Sequence, residues 1–158
     1  MKVIHLISGG DSGGAKTHVL SLLQHLNQTI TAQLVCFRDG PFAEEARQMG
    51  IPTMICGGNN VFRTRRKLAA YIREGGYEII HCHGSRANMI GAMLRKVTGL
   101  PVVTTVHSDY KLDYMGRPLS RLVFGTINAW ALHRLDFRIG VSDAMVDLSL
   151  IHISEPTR

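Results

Sequence analysis

Six short runs rich in Val and Ile alternate with helical patterns along this chain, and that alternation constrains the fold more than any other feature. The runs are Lys2–Ser8, Ala32–Phe37, Pro52–Cys56, Glu78–Cys82, Val102–Val106 and Phe137–Val141. Most are apolar on both faces, as central parallel strands covered by helices must be. Between them, Ala15–Leu26 puts Val19, Leu22, Leu23 and Leu26 on one helical face. Phe42–Met49 is closed by Gly50 with Pro52 beyond, Arg65–Arg73 by Gly75-Gly76, and Ala87–Val97 by Gly99 with Pro101 beyond. Pro118–Leu135 is the longest helical pattern. Strand–helix alternation with short connections predicts an α/β fold: a doubly wound, mostly parallel sheet of about six strands with flanking helices. Ligands of such sheets bind beyond the C-terminal ends of the strands. The residues that follow each strand are therefore where chemistry is expected.

Bulk properties narrow the class. A chain of 158 residues can bury one real core, and 45% hydrophobic with 19% charged residues is ordinary for a globular protein. No apolar run approaches the roughly 20 residues that span a bilayer. MKVIHLIS is too short for a signal-peptide core and reads as a first strand. Cys36, Cys56 and Cys82 lack zinc spacing, and an odd count predicts reduced thiols in a cytoplasmic protein. The net charge of +6 favours anionic partners. The last eleven residues, Leu148–Arg158 (LSLIHISEPTR), resemble the in-frame translation of an adaptor used in transposon-based sequencing libraries. They are set aside from the fold, which leaves residues 1–147 as the natural domain of a gene expected to continue beyond Asp147.

Three strand ends carry candidate chemistry. After the first comes GGDSGGAKTH, Gly9 to His18. It is close to a nucleotide-phosphate loop, but Ala15 separates Gly14 from Lys16. The lysine is thereby rotated about 100° around the helix, and no later strand ends in the aspartate that would serve Mg²⁺. A dinucleotide loop fails too, because Cys36-Phe37-Arg38 stands where the second strand should end in an acid. What remains is a backbone loop able to approach an anion at a helix N-terminus, or a turn without a ligand. After the fourth strand comes His81-Cys82-His83-Gly84-Ser85-Arg86, whose two histidines share a strand face. With no carboxylate at ligand spacing, no metal is assigned; His83 reads as a hydrogen-bonding group at a pocket mouth, and His81 equally as a core residue. After the fifth comes Thr105-Val106-His107-Ser108-Asp109, with His107 either an acid/base group, a phosphate or hydroxyl binder, or a polar edge residue.

Taken in order, the G-G-x-x-G-G-A-x-x-H loop, GPFAEEARQMGIP, the H-x-H strand end, TVHS and DFRIGVSD resemble the N-terminal, acceptor-side domain of a GT-B glycosyltransferase of family 4. The likeness runs from Met1 to about Asp147. It implies the Rossmann-like N-terminal half of a two-domain enzyme that moves a sugar, with retention, from a nucleotide-sugar donor to a sugar or lipid-linked acceptor in cell-envelope or polysaccharide synthesis. It further implies that Gly13 and Gly14 face the donor diphosphate, that His107 is the catalytic-site histidine, and that His83, Ser85 and Ser142 line the acceptor side. No cofactor and no metal are implied; protein groups offset the leaving phosphate's charge. The donor pocket and E-x7-E motif of the family belong to a C-terminal domain, the expected partner in cis. Without it the chain is expected to fold marginally and to transfer no sugar.

Arg63, Arg65, Arg66 and Lys67 cluster ahead of the third helical pattern, and Arg117, Arg121 and Arg134 flank the long fifth one. They form either a solvated face or a peripheral contact with anionic lipid at the inner face of the plasma membrane, worth roughly 1 kcal/mol per basic residue. Nucleic acid is not an expected partner, since the strand ends lack stacking aromatics and no DNA-binding motif occurs. Two other readings stand beside the transferase: half of a nucleotide-sugar 2-epimerase, and a non-catalytic Rossmann-like binding module.

Overall fold

The computed structural model describes residues 1–10, 14–58, 60–106, 126 and 128–141. Six strands form one sheet: β1 (Lys2–Ile7), β2 (Thr31–Cys36), β3 (Thr53–Ile55), β4 (Ile79–His83), β5 (Val102–Val106) and β6 (Phe137–Gly140). From β1 to β5 they are connected by α1 (Gly14–Leu26), α2 (Pro41–Gln48), α3 (Val61–Gly75) and α4 (Ser85–Thr98). The sheet order is β3-β2-β1-β4-β5-β6, and every pairing is parallel. The chain thus winds outward from β1 to β3, crosses back, and winds outward again from β4 to β6. The Rossmann-like class is as expected.

The pleat sorts the core into two layers. Ile4, Leu6, Ile80 and Cys82 pack with Leu68 and Ile72 of α3 and with Ile90 and Leu94 of α4. Ile7, Leu34 and Cys36 pack with Val19, Leu20 and Leu23 of α1 and with Phe42 and Ala46 of α2. Most of these side chains are fully buried, each contributing about 1.5–3 kcal/mol over exposure. Cys36, Cys56 and Cys82 are all buried thiols. Burial pushes the Cys82 thiol far up and raises that of Cys56.

Several element ends differ from the sequence reading. β4 runs one residue further, to His83, where Gly84 turns the chain at φ 86°. α3 starts at Val61 rather than Arg65, because the Asn60 side chain accepts from the Arg63 backbone N–H at 3.0 Å and caps it. The arginines therefore lie in the first turns of the helix, not ahead of it. Of the long fifth pattern, residues 126 and 128–132 are helical and a turn follows at 133–134, so it stops short of Leu135; its earlier residues lie outside the described ones.

Two polar ties hold β5 and β6 to the helices. Arg95 of α4 donates to both Asp136 carboxylate oxygens at 2.6–3.0 Å, and Asp136 also accepts from the Val102 N–H at 2.9 Å. That guanidinium holds the Asp136 carboxyl below its usual range. Inside, the Thr104 hydroxyl donates to Asn88 at 2.6 Å, and Asn88 donates to Asn128 at 3.1 Å.

Candidate functional site at the C-terminal sheet edge

β1 and β4 are neighbours whose following chains leave to opposite faces of the sheet, which is where such folds open a crevice. The row Cys36, Ile7, His83 and Thr105 lies in register across β2, β1, β4 and β5 at this edge. One row below it are Leu34, His5, His81 and Val103. The chain that follows β1, Ser8-Gly9-Gly10, and the segment His83-Gly84-Ser85 therefore leave the same edge of the sheet from neighbouring strands.

The glycines of the loop have different reasons to be there. Gly9 sits at φ 86°, and a Cβ on it would stand 2.5 Å from the Arg38 carbonyl oxygen. It is required by the close passage of the chain after β2. Gly14, the exposed first residue of α1, has nothing within 4 Å of such a Cβ. Packing within the chain does not demand glycine there. Lys16 is not poised over the loop: its ammonium pairs with Glu45 of α2 at 2.5 Å. Gly13 lies outside the described residues, as do His107 and Ser142.

Three histidines, not two, meet under the edge. His5, His81 and His83 are 0%, 8% and 1% exposed. The His5 Nδ1 and His83 Nε2 atoms are 3.1 Å apart, and His81 Nε2 is 2.8 Å from the Thr105 hydroxyl. Ring centroids are 4.7 Å apart for His5 and His81, and 4.4 Å for His81 and His83. One nitrogen from each ring falls within 4.8 Å of the others, so the trio could in principle admit a metal ion. Burial, and secondarily the neighbouring His81, hold the His5 imidazole well below its ordinary pKa. His83, read from the sequence as a group at a pocket mouth, is buried within this chain; Ser85, at the start of α4, is half-buried. The sequence reading missed His5. Its one available signal was the matching strand parity of His5 and the H-x-H pair, and using it required knowing that β1 and β4 adjoin.

Two cations border the edge. The Arg38 guanidinium lies 3.8 Å from where a Cβ of Gly10 would stand. Arg86 sits over the Phe37 ring at 5.4 Å and donates to the Gly58 carbonyl. Both follow from their positions immediately beyond strand ends.

Residues 12–152 match the family model described as Glycosyltransferase Family 4. The chain belongs to glycosyltransferase family 4. A similar protein is the UDP-Gal:alpha-D-GlcNAc-diphosphoundecaprenol alpha-1,3-galactosyltransferase of Escherichia coli, 24% identical over 138 residues, which cover 77% of this chain and 35% of that protein. Among solved structures, Anabaena HepE in complex with UDP-glucose superposes with a TM-score of 0.80 at 18% identity, over 96% of this chain and 40% of its own. The lipopolysaccharide outer core galactosyltransferase WaaB in its apo form gives 0.67 at 15% identity, over 99% and 43%. A protein assigned as UDP-N-acetylglucosamine 2-epimerase from Listeria monocytogenes gives 0.66 at 12% identity, over 98% and 43%. At these identities the structural likenesses establish the N-terminal GT-B fold. The chain spans about two fifths or less of each of these proteins.

Proposed function

We propose that this family 4 chain is the acceptor-binding half of a retaining glycosyltransferase that moves a hexose from a nucleotide sugar to a sugar or lipid-linked acceptor in envelope or polysaccharide synthesis. The family match over residues 12–152 carries this reading. The E. coli relative, named for transfer from UDP-Gal to a diphosphoundecaprenol-linked sugar, supports the donor and acceptor classes. Gly13 and Gly14 approach the donor diphosphate, which the part of the enzyme beyond this chain binds; the open space around Gly14 suits that approach. His107 acts at the transferred sugar, and His83, Ser85 and Ser142 serve the acceptor side. Transfer proceeds without a metal, with loop N–H groups and edge cations offsetting the leaving phosphate's charge. The chain alone transfers no sugar. A coupled assay for released nucleoside diphosphate tests this: the two-domain enzyme turns over and its His107→Ala form loses most of kcat. Full activity of His107→Ala, or turnover by this chain by itself, would refute the assignment.

The reading places the protein in the cytoplasm, peripherally on the inner membrane face. Among the described residues no helix is long and apolar enough to cross a membrane. α3 supports surface docking: Phe62 is 66% exposed beside Arg63, Arg66 and Lys67, with Arg65 over its ring at 5.7 Å. An apolar tip ringed by cations is the arrangement that anionic headgroups attract. Sedimentation with phosphatidylglycerol vesicles, lost on Arg63→Glu/Arg66→Glu and in high salt, is the expected result. Equal sedimentation of that variant would remove α3 from the role.

A further inference from the structure

We infer that His5 is a positioning residue: it donates from Nδ1 to His83 Nε2 and so locks His83 in the tautomer whose proton is on Nδ1. The role of His83 rests on its acceptor-side reading above; the tautomer itself does not.

The argument starts from proton count. A neutral imidazole has one N–H and one bare nitrogen. His5 Nδ1 and His83 Nε2 are 3.1 Å apart and buried, so one of the two carries the shared proton. The other nitrogen of His5, Nε2, is buried and meets no hydrogen-bond partner among the described residues. Suppose His83 were the donor. His5 would then accept at Nδ1 and hold its own proton on Nε2, an orphaned buried N–H. Orphaned buried donors are rarer than under-satisfied acceptors in folded interiors. With His5 as donor, the atom left over is only a lone pair, and the proton of His83 is fixed on Nδ1. Protonating His5 fully would keep the bond to His83 but orphan a buried Nε2–H, and burial beside His81 opposes that charge.

A metal held by the trio is the competing use of the same atoms. It would need all three lone pairs at once, including the one engaged between His5 and His83. It would also leave a divalent charge in the core, where no carboxylate joins the cluster among the described residues. The hydrogen-bonded arrangement needs neither.

The lock has a chemical consequence. His83 Nε2 is occupied as an acceptor, so His83 is not a general base through that atom. Its Nδ1 then carries the ring's only proton, so that atom acts as a donor and not as an acceptor.

Long-range proton–nitrogen spectra of the chain labelled with ¹⁵N-histidine read the tautomers directly. The expected wild-type spectrum has His83 protonated on Nδ1 with a bare Nε2. His5→Asn, whose amide N–H stands near the place of Nδ1–H, keeps that pattern. His5→Leu, as far as it folds, shows mixed His83 tautomers. In the two-domain enzyme, His5→Leu raises acceptor KM about tenfold with donor KM unchanged, and His5→Asn restores it. A wild-type His83 protonated on Nε2, an unchanged tautomer in folded His5→Leu, or stoichiometric Zn²⁺ binding that shifts all three imidazoles would overturn the lock. An unchanged acceptor KM with the predicted spectra would instead discard the acceptor role of His83 and leave the lock standing.

Discussion

Acid should destabilise this domain through His5 before it touches the carboxylates. His5 is fully buried and its imidazole is held well below the ordinary value of 6.5, first by burial and then by His81. In the unfolded chain it titrates near 6.5. The sign follows from counting protons. Above 6.5 both states are neutral at this site and the full contribution is present. Below 6.5 the unfolded state takes up a proton that the folded state refuses, so stability falls as pH falls toward the depressed folded pKa. One proton per molecule corresponds to about 1.4 kcal/mol per pH unit. Between pH 6.5 and 5 that amounts to at most about 2 kcal/mol, against the roughly 5–15 kcal/mol that holds an ordinary domain together. Asp136 does not blur the window. Its carboxyl pKa, depressed mainly by the hydrogen bond from Arg95, places its own loss below the ordinary aspartate value. Urea unfolding at pH 7, 6 and 5 measures the effect, comparing the chain with His5→Asn so that the other titrating groups cancel. The variant is expected to lose stability less steeply, by about one proton's worth of slope. Parallel pH profiles, with equal m-values, would show that His5 is not excluded from protonation in the fold and would refute the reasoning.

Gly9 and Gly14 should separate cleanly on substitution. Gly9→Ala forces a Cβ to 2.5 Å from the Arg38 carbonyl oxygen at positive φ and is expected to cost about 1–3 kcal/mol in thermal or urea unfolding. A Cβ at Gly14 meets no atom within 4 Å, so with Gly14→Val the domain should keep its stability to within about 1 kcal/mol while the two-domain enzyme loses donor turnover. Gly91 is a packing glycine: a Cβ there stands 2.4 Å from Cys82 Sγ and 3.1 Å from a Val102 methyl, so Gly91→Ala should destabilise by about 1–3 kcal/mol without altering nucleotide-sugar kinetics at permissive temperature. Asp136→Ala removes a bidentate partner of Arg95 and the acceptor for the Val102 N–H; a lowered melting temperature, mildest in high salt, is expected because Arg95 is about half exposed.

The sheet was legible because each strand announces itself locally. Val102–Val106 was read without error, and the other strands to within a residue or two, since period and composition are properties of a few adjacent residues. Helix starts were less legible where a single capping side chain decides them. Asn60 extends α3 back from Arg65 to Val61, across Arg63, because its side chain caps the Arg63 N–H. The site was legible as three strand ends in a row, but not as a contact map. Along the chain the H-x-H pair has no third ligand or partner within reach. The fold supplies one because winding outward from β1 and returning to β4 makes these two strands neighbours, in a register that opposes His5 to His81 and sets His83 across from Ile7. The seventy-odd residues between them in sequence carry no mark of that register. It is fixed by which faces α1, α2, α3 and α4 must cover, which is a property of the whole sheet. Once it is fixed, parity alone puts His5, His81 and His83 on the α1–α2 side, while Cys82 and Ile80 go to the α3–α4 side. A buried imidazole trio is therefore a consequence of topology acting on three separately ordinary histidines. That is why replacing His5, whose Nδ1 lies 3.1 Å from His83 Nε2, is expected to be felt at His83 rather than at Leu6.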